Sequence, residues 1–202
     1  MSTSLFVQIT ALLQSIEGPD GTPQTEVFLN VCRQIIPVIE KFGTSFLIVK
    51  SDIQGNIDRL TSRAQTQPAR YTQLYPIVLD EVKTGDTGNT SCTKGLLWLQ
   101  RAMSFVAGLL RRLLDDRQVS LATAASEVYT VELYQYHGWI TSAAFTVALK
   151  LVPSREAFLQ KLGVPNEELY QQMASFLDAF QPVLQAIHTF LVQNNLDDPT
   201  RV

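Results

Sequence analysis

Apolar residues recur at three- and four-residue intervals along almost the whole chain, and proline and glycine cut that pattern into helix-length pieces. Leu5, Ile9, Leu12, Leu13 and Ile16 open it, and Gly18-Pro19 stops the first piece. Beyond the turn Gly21-Thr22-Pro23, a second helix carries Val27, Val31, Ile35, Ile39 and Phe42, and Pro37 should kink it or end its regular part. Gly43 separates a third helix, from about Ser45 to Gln67, closed by Pro68. A fourth is predicted over Tyr71 to Lys83, with Pro76 early in it. The run Thr84-Gly85-Asp86-Thr87-Gly88-Asn89-Thr90 is a loop. Cys92 to Leu114 reads as one long helix, apolar on more than one side and therefore central. Ser120 to Tyr134, His137 to Val152, and a short helix from Pro153-Ser154 to Leu162 follow. Asn166 or its neighbour should cap a final helix reaching about Asn194. Glu167 and Glu168 sit in its first turn, where the helix dipole favours them, and Pro182 should bend it. With no repeat, low-complexity tract or linker, residues 1–202 read as a single all-α domain of about eight helices.

Composition narrows the function. Hydrophobic residues make up 46% of the chain and charged residues 17%, enough to fill a core and leave apolar surface for a cavity. A net charge of −3, with Arg111-Arg112 the only adjacent basic pair, argues against a nucleic-acid partner. It also argues against attraction to anionic lipid by charge alone. Cys32 and Cys92 are not in a CxxC pair and lie among apolar residues, so buried free thiols in a reducing compartment are expected. The start, MSTSLFVQITALLQ, lacks the basic region and long apolar run of a signal peptide. No stretch reaches the roughly 20 apolar residues of a membrane span, so the expected location is the cytosol. His137 and His188 are the only histidines, and neither has a cysteine or carboxylate partner at ligand spacing; no metal and no cofactor are expected.

Three local patterns carry chemistry. On the third helix Asp52, Asn56 and Arg59 stand at i, i+4 and i+7, one line of an acceptor, a two-way amide and a five-donor cation. Val49, Ile53, Ile57 and Leu60 form the apolar stripe beside it. Such a line suits the alternating donors and acceptors of a sugar. An ordinary solvated helix face is the simpler account of these residues taken alone. Gly55, inside the same helix, costs on the order of 1 kcal/mol relative to alanine and suggests a close approach to the backbone. On the central helix Trp98 and Phe105 are either plain core or, for Trp98, an aromatic platform for a sugar face. The third pattern, Tyr134-Gln-Tyr136-His137-Gly138-Trp139-Ile140, holds a histidine among aromatics and an indole suited to a membrane interface.

Taken together, Asp52-Ile-Gln-Gly-Asn56-Ile-Asp-Arg59, Leu96-Leu-Trp98-Leu-Gln-Arg101 and Tyr136-His137-Gly138-Trp139-Ile140 resemble the glycolipid transfer protein family in order and separation, over nearly the whole chain. The resemblance implies a two-layer all-α sandwich, monomeric, with a headgroup site at the surface and an apolar tunnel for hydrocarbon chains. It implies a glycosphingolipid ligand, moved between membranes through a transient surface contact and without catalysis. By this resemblance Asp52 accepts from the ceramide amide and a sugar hydroxyl, Asn56 and Arg59 bond the sugar, and Trp98 lies under its ring. His137 donates to the ceramide carbonyl with Tyr129 close by; Phe105, Phe145 and Phe158 line the tunnel; Trp139 touches the membrane. Arg59 stands where a lysine is common, and its planar fork suits anionic groups as well as sugars. Members that carry ceramide-1-phosphate place basic residues at the positions of Asn56 and Trp98; the amide and indole here favour a sugar. The tail Asp197-Asp198-Pro199-Thr200-Arg201-Val202 lacks a tyrosine that some members carry, which removes the basis for expecting a tail contact.

Two other classes compete. A lipid hydrolase using Asp52 and His137 lacks a GxSxG elbow, a nucleophile beside a histidine and a second acid. A sphingolipid sensor or adaptor would use the same pocket, as would a carrier of a phosphorylated or otherwise anionic sphingolipid.

Overall fold

The computed structural model describes residues 4–202. Among them, nine α-helices are joined by turns, with two isolated backbone bridges and no strand. They are α1 (Leu5–Leu13), α2 (Thr25–Glu40), α3 (Leu47–Thr66), α4 (Tyr75–Thr84), α5 (Cys92–Asp115), α6 (Leu121–Glu132), α7 (Trp139–Lys150), α8 (Arg155–Leu162) and α9 (Glu167–Gln193). Short 3-10 turns over Thr44–Phe46 and Tyr134–Tyr136 precede α3 and α7.

The central position expected of α5 is borne out. α3, α6 and α9 pack along it, α2 lies on α3, and α1 joins α2 to α9. Leu96, Leu97, Leu99, Met103, Val106, Leu109, Leu110 and Leu113 are buried, covering most of its circumference. A helix apolar all round requires cover on every side, which is what the surrounding helices supply. Both of its ends are satisfied by buried charge. At the N-terminus the Glu81 carboxylate accepts from the backbone N–H groups of Cys92 (2.8 Å) and Thr93 (2.7 Å), and the Ser91 hydroxyl accepts from Lys94 N–H. At the C-terminus the buried Arg155 guanidinium donates to the carbonyls of Leu113 (2.7 Å), Val119 and Asp116. Orphan helix-end groups buried without such partners would be costly.

Several sequence expectations shift. α4 starts at Tyr75 rather than Tyr71, with Pro76 in its first turn. Residues 71–74 instead run alongside 23–25: Thr25 N–H donates to the Thr72 carbonyl and Leu74 N–H to that of Pro23. Pro37 does not end α2, which continues to Glu40, and Pro182 lies within an unbroken α9. Asn166 caps α9, its side chain accepting from Leu169 N–H at 3.0 Å. His137 does not begin α7; it sits in extended backbone ahead of it, and Gly138 is the cap. Gly85 closes α4 in the left-handed region (φ 73°) that glycine adopts freely.

Cys32 and Cys92 are buried free thiols, as expected. Desolvation pushes the Cys32 thiol far up and that of Cys92 up to about 12.

Candidate functional site

Between α3, α5 and α7 lies a cavity of about 680 Å³, within the range of small-molecule pockets. α3 contributes Ile48, Val49, Asp52, Ile53, Asn56 and Arg59; α5 contributes Lys94, Trp98 and Ala102; and His137, Thr141, Ala144, Phe145 and Ala148 form the opposite wall. Asn89, before α5, and Val202 complete the rim. The helical spacing that aligned Asp52, Asn56 and Arg59 in sequence thus turns all three toward one cavity, and Trp98 and His137 face them across it.

The α3 stripe is internally ordered. Asn56, buried, donates from Nδ2 to Asp52 Oδ2 at 3.2 Å. Arg59 Nη1 donates to the carbonyls of Ser91 (3.0 Å) and Asn89 (3.4 Å), tying α3 to the loop that starts α5. Asp52 is open to solvent at the mouth. The flanking protein still removes enough water to push its carboxyl above the ordinary range, which the Arg59 charge only partly offsets. The close backbone approach anticipated at Gly55 is absent: a methyl there would meet nothing within 4 Å. At Gly95 of α5 a Cβ would lie in ordinary van der Waals contact, 3.5 Å from Arg59 and 3.6 Å from Asn56 Oδ1.

On the facing wall Tyr129, buried on α6, places its hydroxyl 3.1 Å from His137 Nδ1. Desolvation, helped by the Arg101 charge, lowers the His137 pKa, and desolvation raises that of Tyr129, so a neutral imidazole faces an intact phenol. Where the phenol donates to Nδ1 the imidazole proton resides on Nε2, and where it accepts the proton is on Nδ1. Trp98 stacks on the His137 ring at 6.0 Å and 21°. Arg101, buried, lies 5.1 Å from the Trp98 ring and 3.4 Å from that of Tyr136, a cation backing two aromatics.

The three phenylalanines expected in a tunnel are not equivalent. Phe145 lines the cavity; Phe105 and Phe158 are buried behind it and do not. They belong to one chain of touching rings. Phe145 packs on Tyr129 (4.3 Å), Phe46 (5.6 Å) and Phe105 (5.7 Å), and Phe46 continues through Phe42 to Phe158. Ile48, on the cavity lining, and Trp139 are each 82% exposed, and Ile140, Leu47, Val147 and Leu151 are also exposed. Large exposed apolar side chains are candidates for a contact surface.

Two features lay beyond sequence reasoning. Lys94 reaches the cavity, and the tail, for whose placement the sequence offered no basis, makes contacts. Arg101 donates to Asp197 and to the Asp198 carbonyl (both 2.8 Å), Lys94 pairs with Asp198, and Gly138 N–H donates to the Val202 carbonyl at 2.7 Å. The missing tyrosine was the wrong indicator, because acidic side chains and backbone do the anchoring. The acidic pair Asp197-Asp198 was the only available signal.

The glycolipid transfer protein family model matches residues 23–164. The chain is 36% identical to glycolipid transfer protein 1 of Arabidopsis thaliana over 199 residues, 98% of each protein. It is 31% identical over 188 residues to human pleckstrin homology domain-containing family A member 8, matching 88% of this chain and 36% of that longer protein. A solved structure concerning how FAPP2 selects simple glycosphingolipids using the GLTP-fold superposes with a TM-score of 0.90 at 30% identity, over 99% of this chain and 100% of that one. Human ceramide-1-phosphate transfer protein bound to its 12:0 lipid shares the fold (TM-score 0.86, 20% identity, 98% of this chain and 99% of that one). On sequence and fold together, the chain belongs to the glycolipid transfer protein family.

Proposed function

We propose that the chain is a non-enzymatic carrier that binds one glycosphingolipid and moves it between membranes, residues 1–202 acting as a single monomeric unit at cytosolic membrane faces. The observation that carries this reading is one cavity with a polar stripe on one wall, a histidine on the other, and an aromatic interior leading inward. A ceramide brings one amide donor and one carbonyl acceptor into an apolar site, each costing roughly 1–3 kcal/mol if left unpaired. Asp52 accepts from the amide and a sugar hydroxyl, and His137 Nε2–H donates to the carbonyl. Asn56 and Arg59 bond the sugar, which stacks on Trp98. The hydrocarbon chains enter past Phe145 and displace the rings that end at Phe105 and Phe158. They gain about 0.8 kcal/mol per buried CH₂, which supplies affinity but no headgroup choice. Trp139 and its exposed apolar neighbours touch the membrane during exchange.

The support is twofold: the family, whose relatives are named as lipid transfer proteins, and a cavity that sets polar bonding groups beside apolar walls. Arg59 on the cavity lining, whose planar fork suits anionic groups as well as sugars, favours a second reading, an anionic sphingolipid. The test is transfer of fluorescent galactosylceramide between vesicles, with no nucleotide or metal added. Transfer proportional to protein concentration supports the carrier; equal transfer of phosphatidylcholine overturns the headgroup assignment, and chemically altered lipid overturns the absence of catalysis.

A further inference from the structure

Lys94 stands in the first turn of α5, one helical turn before Trp98, and lines the same cavity as Asp52, Asn56 and Arg59. Its ammonium is engaged by Asp198, 104 residues away. The pairing is built into the fold. Lys94 is largely buried, and Asp198 lies in a tail fixed on both sides of it. Before it, Asp197 accepts from the buried Arg101. After it, Arg201 donates to the Gln135 carbonyl (3.1 Å), and Val202 exchanges backbone hydrogen bonds with Tyr136 and Gly138. Lys94, with the Thr200 hydroxyl and N–H, holds the Asp198 carboxyl below the ordinary carboxylate range.

Two cations, Arg59 and Lys94, and one carboxylate, Asp52, line the cavity; the Arg59 charge acts on Asp52, and Asp198, outside the lining, pairs with Lys94. We propose that Asp198 is a specificity-determining residue: by holding Lys94 and cancelling its charge, it keeps the headgroup mouth neutral and so favours an uncharged sugar over a sulfated or phosphorylated one. Without that carboxylate, Lys94 becomes an unpaired ammonium inside a partly water-excluded cavity, where attraction to an anionic headgroup is stronger than in bulk water. The inference rests on the glycosphingolipid reading above.

The experiment measures binding of galactosylceramide and 3-O-sulfogalactosylceramide by the whole protein at low and high salt. Asp198→Asn, nearly isosteric, should raise the sulfated-to-neutral affinity ratio by about ten-fold at low salt, with the gain shrinking as salt rises. Lys94→Met leaves Asp198 uncompensated and should move the ratio the other way, so the inference does not depend on one variant folding. The double variant should return toward the parent ratio. A ratio unchanged in both single variants overturns the inference while leaving the carrier reading intact. A rise in the double variant equal to that in Asp198→Asn overturns it too, because the effect would not pass through Lys94. A parent protein that binds neither lipid overturns the glycosphingolipid reading and this inference with it.

Discussion

The Tyr129 hydroxyl and His137 Nδ1 lie 3.1 Å apart, and that contact decides which imidazole nitrogen is free to face the cavity. Tyr129 is fixed by stacking on Phe145 at 4.3 Å, so the phenol can orient the histidine without touching the lipid itself. Tyr129→Phe keeps the stack and removes the bond. It should weaken galactosylceramide binding by about 0.5–1.5 kcal/mol, roughly two- to ten-fold, with His137 intact. Calorimetric titration checks this; unchanged affinity would mean that the tautomer is set elsewhere.

On the proposed binding mode, Asp52→Val and His137→Leu each leave one ceramide polar group without a partner. Each should cost about 1–3 kcal/mol of lipid binding, or roughly five- to 150-fold. Melting without lipid should change little, because Asp52 opens to solvent and His137 lies in a loop. Loss of stability with unaltered binding would make both residues structural.

Arg155 should behave in the opposite way. Arg155→Met leaves the carbonyls of Leu113, Asp116 and Val119, at the end of α5 and in the turn after it, without this donor, and Arg155 is not part of the cavity lining. A destabilisation of about 3 kcal/mol, or roughly 6–12 °C in Tm for a chain of this size, is expected. Lipid affinity measured well below the melting temperature should match the parent.

Mild acid should weaken binding. Asp52 accepts most strongly, and from two donors at once, when ionised, and its raised pKa brings protonation, and so weaker binding, at a higher pH than for an ordinary aspartate. For stability its sign is reversed: the folded state holds that proton more tightly than the unfolded chain, so Asp52 becomes less unfavourable to folding as pH falls. His137 runs the other way. Its pKa is lowered by folding, so the unfolded chain takes the proton first, and stability falls as pH drops below about 6.5. Binding and melting curves followed from pH 8 downward (roughly one unit per step) test both; in Asp52→Asn the acid loss of binding should be absent.

Trp139→Ala should reduce transfer while leaving melting and lipid affinity near the parent values, because an indole 82% exposed contributes little to the core. Vesicle flotation with and without the substitution checks it. Equal vesicle association would move the membrane contact to the other exposed residues, Ile48 and Ile140 among them.

What could be read in advance depended on sequence distance. The Asp52–Asn56–Arg59 line was legible because helical geometry alone places i, i+4 and i+7 on one face. The central role of α5 followed from its unbroken apolar character, and Asn166 as a cap from local chemistry. Lys94 with Asp198 and Arg101 with Asp197 were invisible, because no periodicity relates residues 104 and 96 positions apart. Gly55 misled: it lies on an exposed helix face, and a methyl there would meet nothing within 4 Å. Phe105, Phe145 and Phe158 were rightly apolar, but sequence could not tell the ring at the cavity wall from those behind it.

The most direct test of the central claim is native mass spectrometry of the protein after incubation with vesicles holding equal amounts of galactosylceramide, ceramide-1-phosphate and phosphatidylcholine. The account predicts one galactosylceramide per chain, a complex depleted by Asp52→Val and by His137→Leu. Phosphatidylcholine as the main adduct, or a galactosylceramide complex indifferent to both substitutions, would contradict it.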